Sequence, residues 1–208
     1  MLVPVHVQLL HAALDGRVSP RAFEAILAGN LGQDNLRGQL GHDEYHFDNN
    51  AFEKSWAYIG AQRAMILPAL QNGDVAAAWS AFGRLTHTLQ DFYAHSNYVA
   101  LWLTRQGHPH PPASGIDPAD PDLVASPELR SGRLYYPREA LYFIPRFRKF
   151  ALSFLPRDSH AHMNLDSAER GPRFEYAYQA ALKRTTREFE GLRSSLPPAL
   201  FSLFTGEA

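Results

Sequence analysis

Between Val75 and Arg105 the chain runs without a proline and with one glycine, Gly83. No other feature constrains the fold as strongly, because it predicts one continuous helix, roughly 45 Å long at 1.5 Å per residue. Asn72-Gly73-Asp74 is a turn leading into it, with Asp74 placed to cap. Gly107-His108-Pro109-His110-Pro111-Pro112 ends it.

The remaining chain also reads as helices and loops. Residues 4–15 carry apolar side chains at helical spacing and stop at Asp15-Gly16. Ser19-Pro20 opens a second short helix, with Ser19 as cap and Pro20 in the first helical position, ending near Gly29-Asn30. Residues 31–50 read as an ordered loop rich in Gly, Asn and Asp, carrying Asp34, His42 and His46. Asn50 is expected to cap a helix reaching about Leu70. The proline-rich stretch 107–137 reads as a long surface excursion. Helix-compatible sequence resumes from Arg138 to Phe154, interrupted at Pro145, and a further helix is expected from Pro172 to Leu196, with a short turn after Pro197-Pro198. There is no alternating strand pattern and no internal repeat. The expectation is an all-α helical bundle forming one domain over residues 1–208.

Composition narrows the function. With hydrophobic residues at 45% and charged residues at 20%, the chain has ordinary globular character. Its formal net charge of -1 supplies no bulk field for nucleic acid, so no stable nucleic-acid complex is expected; peripheral membrane contact stays open. With no cysteine, any metal must sit on His, Asp, Glu or backbone atoms. No apolar run is long enough to cross a bilayer. Met1-Leu2-Val3-Pro4-Val5-His6 lacks the basic and apolar regions of a secretory signal. The expectation is a cytoplasmic chain, one exported by another route, or one whose leader is removed. Ten histidines, clustered, are the compositional anomaly.

Three clusters could carry chemistry. His87, Asp91 and His95 are four residues apart in turn, so they share one helix face. Two imidazoles and a carboxylate suit zinc, and the carboxylate could bridge two ions. The alternative is a polar stripe on an exposed helix, against which stand the apolar neighbours Leu85, Leu89 and Phe92. His42 and His46, with Asp34 upstream, could complete a ligand shell or simply serve turn chemistry. His162 with Asp166, or His160 with Asn164, could hold a further ion, or the histidines could face solvent behind a cap at Asp158 or Ser159. His6 and His11, on an apolar helix, fit structural roles, and His108 and His110 read as solvated.

The run from His87 through Asp91 to His95-Ser-Asn-Tyr resembles the fungal heterokaryon-incompatibility C (Het-C) branch of the zinc-dependent phospholipase C and single-strand nuclease superfamily. His6, Asp34, His46, His87, Asp91, His95, His162 and Asp166 follow that superfamily's ligand order. The resemblance implies two to three zinc ions. Asp34, His46, His87 and Asp91 would hold one; His95, His160 or His162, and Asp166 a second; and Asp91 would bridge to a third on His6 and the amine of Met1. It also implies a phosphoric ester hydrolase using metal-bound hydroxide. Asp91 would be the catalytic bridge and Asp34 a ligand or general base, with a phospholipid or other phosphodiester as substrate. Two other readings remain: a single-strand nuclease-like phosphodiesterase, and a metal-stabilised interaction or membrane-associated module without turnover.

Overall fold

The computed structural model describes residues 1–39, 41–108, 110–142 and 144–207, with backbone only at Leu36, Arg37 and Pro145. Pro4 in the first turn and a continuous apolar face give α1 (Val3–Leu14). The Ala22 N–H donates to Ser19 Oγ at 3.2 Å, and Pro20 starts α2 (Pro20–Leu31). The connecting segment folds into the single turns α3 (Leu36–Gln39) and α4 (Asp43–His46). α4 stops because Phe47 turns left-handed, at φ 58°, and Asn49 and Asn50 follow it at 53° and 57°. Next come α5 (Phe52–Gln71), α6 (Val75–His95) and α7 (Tyr98–Arg105). The short helices α8 (Pro121–Val124), α9 (Arg148–Phe154) and α10 (His160–Met163) precede the long α11 (Arg173–Ser195) and the terminal α12 (Pro198–Thr205). The described residues hold no strand, only the isolated bridges Ser96–Ser131 and Arg133–Ser159. The fold is all-α, and no described helix is long and apolar enough to cross a membrane.

α6 runs through the centre, packed by α2, α5 and α11, and every residue from Leu85 to His95 is buried. Leu9, Ile26, Ile59, Phe82, Leu89 and Phe92 close around it with almost no exposure. Each such side chain contributes about 1.5–3 kcal/mol by leaving water. The crossing with α2 is close enough to exclude side chains. A Cβ on Gly83 would lie 2.1 Å from the Ile26 carbonyl oxygen, and one on Gly29 would lie 2.7 Å from that of Ser80. Gly83, the one glycine in the central helix, is what lets α2 reach it.

Three expectations change. The stretch Val75–Arg105 is two helices, because Ser96 is extended (ψ 167°) and its hydroxyl turns back to the Phe92 carbonyl at 2.5 Å. The Asn97 side chain accepts from Arg130 N–H at 2.8 Å and donates to the Glu128 carbonyl at 2.9 Å, so a distant segment holds the corner. Asn50 does not cap α5. It pairs with Ser131, accepting that residue's N–H at 2.7 Å and donating its own N–H to the hydroxyl at 2.9 Å. The 107–137 stretch is partly internal, since Ile116 and Leu123 enter the main core and Tyr98 Oη donates to the Asp117 carbonyl at 2.5 Å.

Candidate metal centre

Asp91 is the hub. The four-residue spacing on α6 places it between His87 and His95, with all three buried. Its Oδ2 lies 2.8 Å from His46 Nδ1 and 3.2 Å from His87 Nε2. Its Oδ1 lies 3.3 Å from His6 Nε2 and 4.0 Å from His95 Nε2, and it contacts the Met1 amine. Asp34 enters from the α2–α3 connection, 3.9 Å from His6 Nε2 and 3.8 Å from His87 Nε2. Thus α1, α4, α6 and that connection converge on one carboxylate.

A second grouping adjoins the first at His95. Its Nε2 lies 3.0 Å from Asp166 Oδ1, and the Met1 amine is 3.4 Å from the same oxygen. His160 on α10 places Nε2 3.8 Å from Asp166 Oδ2. Gly132 makes this possible, because a Cβ there would sit 2.5 Å from the His160 Cα. His162 is turned away, with Nε2 3.1 Å from the Leu152 carbonyl oxygen. Of the two alternatives, only His160 reaches the cluster. His11 and His42 pair locally with Asp15 and Glu44, and His108 and His110 are exposed in the proline-rich stretch.

Sequence reasoning missed two participants. Asp48 lies 2.9 Å from His160 Nδ1 and 3.6 Å from His95 Nδ1, directed there by the left-handed turn at Phe47, which no periodicity announces. Gln90, one residue before the hub, places Oε1 2.6 Å from His6 Nδ1. Both matter for the same reason. A histidine whose Nδ1–H is donated to an oxygen presents the lone pair of Nε2. Gln90 does this for His6, the His46 carbonyl does it for His95 at 2.9 Å, and Asp48 does it for His160. All three Nε2 atoms face inward toward carboxylates.

The electrostatics fit a site that demands positive charge. Burial alone would lower the Met1 amine, but Asp91, Asp166 and Asp34 raise it to about 11. Burial likewise opposes protonation of His160, yet Asp48 and Asp166 carry it to about 9. His46 is raised against its burial by Asp91. His87 goes the other way, pushed by burial and by neighbouring His6 to about 4, so it is a neutral donor at pH 7. Burial would raise Asp91, Asp48 and Asp166; the surrounding amine and imidazoles hold all three below the usual carboxylate range.

Three groups of donors have atoms within 4.8 Å of one another: His6, Asp34 and His87; His46, His87 and Asp91; and Asp48, His95 and His160. Buried His6 Nε2, His46 Nε2, His87 Nδ1 and Asp34 Oδ2 have no hydrogen-bond partner among the described residues. A cavity of about 400 Å³ opens over Asp34, His46, His95 and Asp166, with Arg148 and Lys149 on its wall. These residues could hold metal.

Fold and site together define an all-helical domain with a buried histidine–aspartate cluster able to accept cations. The chain belongs to the VWA7 N-terminal domain family, which matches residues 5–111. Human von Willebrand factor A domain-containing protein 7 is 37% identical over 112 residues, covering 49% of this chain and 12% of the human protein. The Rattus norvegicus and Mus musculus proteins of the same name are 33% and 35% identical, each covering 44% of this chain and 11% of the relative. The chain therefore corresponds to a small part of these relatives' length. No solved structure matches.

These findings correct the resemblance to the zinc phospholipase C superfamily and its Het-C branch. The matched span contains His6, Asp34, His46, His87, Asp91 and His95, the residues that carried most of that resemblance. The expected phosphoric ester hydrolase, whether phospholipase C-like or nuclease-like, falls with it, and the alternative of a module without turnover gains no support. The physical reason lies in the motif. Histidine, aspartate and histidine at four-residue steps are what any helix needs to present donors on one face. The spacing describes helix geometry, and no reaction follows from it.

Proposed function

We propose that this domain binds a cluster of divalent cations, with zinc as the resident ion and about two to three ions per chain. One observation carries the reading. Asp34, Asp48, Asp91 and Asp166 converge, yet among the described residues their ion-pair partners are only imidazoles and the Met1 amine, never lysine or arginine. Four carboxylates gathered largely out of water need positive charge, and the amine and imidazoles that supply it as protonated groups are themselves donors that cations can occupy. The nitrogen and oxygen donor set favours zinc over calcium or magnesium, which prefer oxygen alone.

His6, Asp34 and His87 would form one donor set, and His46 with Asp91 an adjoining one that shares His87. His95, His160 and Asp166 would form the next, with Asp48 orienting His160 from behind. Asp34 and Asp91 enter as ligands and the Met1 amine as a neighbouring donor when deprotonated. A bound divalent ion supplies concentrated positive charge that stabilises the fold and faces the cavity. Elemental analysis of tag-free protein, as purified and after zinc dialysis, tests this. About two or three zinc ions per chain, with a lower Tm after chelation, is expected. Sub-stoichiometric metal in both preparations would overturn the reading.

A further inference from the structure

A second cavity, of about 650 Å³, lies between α2, the segment following it, α5 and α6, and shares no lining residue with the cavity over the cation groups. Its volume falls in the range of small-molecule pockets, about 300–1,000 Å³. Three polar groups in it keep hydrogen-bonding or ion-pairing capacity unused among the described residues. Gln62 is 7% exposed, and its Oε1 accepts no hydrogen bond. Tyr58 Oη accepts from Gln33 Nε2 at 2.9 Å, which leaves its own hydrogen without an acceptor. Burial pushes this phenol up to about 12, so it remains a donor at neutral pH. Arg84 lies on the exposed rim, and among the described residues no carboxylate pairs with its guanidinium.

The aromatic wall is ordered. The Tyr45 and Tyr58 rings lie 4.6 Å apart, and His42 stacks on Tyr45 at 4.4 Å with an interplanar angle of 1°. Gly32 lines the cavity at its exposed side, and an added Cβ there would meet nothing within 4 Å. A buried acceptor without a donor is costly to maintain, and a guanidinium beside an uncommitted hydroxyl is a receptor for an oxyanion.

We infer that this cavity binds a small aromatic organic anion bearing an N–H or O–H donor. Arg84 and Tyr58 Oη take the anion, Gln62 Oε1 accepts from the donor, and the ring lies against Tyr45. The inference stands independently of the cation cluster.

The test is calorimetric titration of the full chain with para-aminobenzoate, using benzamidine and cyclohexanecarboxylate as controls. Saturable binding of para-aminobenzoate is expected at millimolar affinity or better, with no binding of benzamidine and weaker binding of cyclohexanecarboxylate. Arg84→Gln, an exposed substitution, should weaken binding by about tenfold or more. Gly32→Phe, at a lining position with ordinary helical backbone (φ -59°), should weaken it as well. Circular dichroism checks that Gly32→Phe folds; if it does not, Arg84→Gln decides. Absence of saturable binding would overturn the inference. So would binding that survives substitution at Arg84, because it would place the carboxylate elsewhere, as on a cation in the other cavity.

Discussion

His160 Nδ1 stands 2.9 Å from Asp48 Oδ1, although the two residues are 112 positions apart in sequence. That contact turns Nε2 of His160 toward Asp166, while His162 points to the Leu152 carbonyl. His160→Ala is therefore expected to lower the zinc content by about one ion per chain, and His162→Ala to leave it unchanged. Asp48→Asn should keep the ion but weaken its affinity by roughly 10–100-fold, as loss of an orienting carboxylate does. Elemental analysis and competition with a chromogenic chelator separate these outcomes. Equal metal loss in both histidine variants would refute the assignment.

Gly132 controls the same residue sterically. A methyl group added there would lie 2.5 Å from His160 Cα and 2.9 Å from its backbone nitrogen. Gly132→Ala should displace α10, costing about 1–3 kcal/mol through overpacking and reducing zinc content together with Tm. Normal zinc binding and normal Tm would show that the segment yields without consequence.

Gly83→Ala tests the crossing of α2 with α6. The new Cβ would meet backbone at 2.1 Å from Ile26 O and 2.7 Å from Asn30 N, and neither atom belongs to a flexible side chain. Alanine's better helix propensity, worth about 1 kcal/mol, should be outweighed. A net loss of about 1–3 kcal/mol is expected, or roughly 3–10 °C in Tm for a domain of this size. Thermal unfolding measures it, and a rise in Tm would count against so close a crossing.

Stability of cation-free protein should depend on pH in two directions. His87 titrates near 4 in the fold against 6.5 ordinarily, so its contribution is present above 6.5 and is lost as pH falls toward 4. His160 titrates near 9, so its contribution is present below 6.5 and is lost as pH rises through 9. Asp48, Asp91 and Asp166 add stability present above 3.8 that is lost further into acid. Urea midpoints of chelator-treated protein should peak near about pH 6.5 and fall on both sides. A midpoint that climbs steadily from pH 7 to 9 would contradict the placement of His160 between Asp48 and Asp166.

The sequence was legible wherever one helix determines the geometry. His87, Asp91 and His95 share a face because of a fixed angular step, and Ser19 and Asp74 cap as their residue types predict. Legibility failed wherever distant segments decide. No local breaker marks Ser96, whose corner is held by Arg130 and Glu128 through the Asn97 side chain. Asp48 follows a left-handed phenylalanine, so its direction depends on the turn rather than on a period. The choice between His160 and His162 rests on a glycine nearly thirty residues earlier in the chain. Function was the least legible, because that stripe of donors reports the helix step and not a reaction.

Gln90 has a consequence beyond orienting His6. Its Oε1 also accepts from Asn30 Nδ2 at 3.3 Å, and its Nε2 donates to Thr185 Oγ1 at 3.1 Å. One buried amide on α6 thereby engages α1, α2 and α11 together. Apolar faces tolerate sliding, since one leucine contact resembles the next. A slip of α11 by one residue would rotate Thr185 by about 100° and leave the amide unmatched in a dry interior. Gln90 therefore works as a key that admits one alignment of the four helices, and it holds His6 in place beside Asp91.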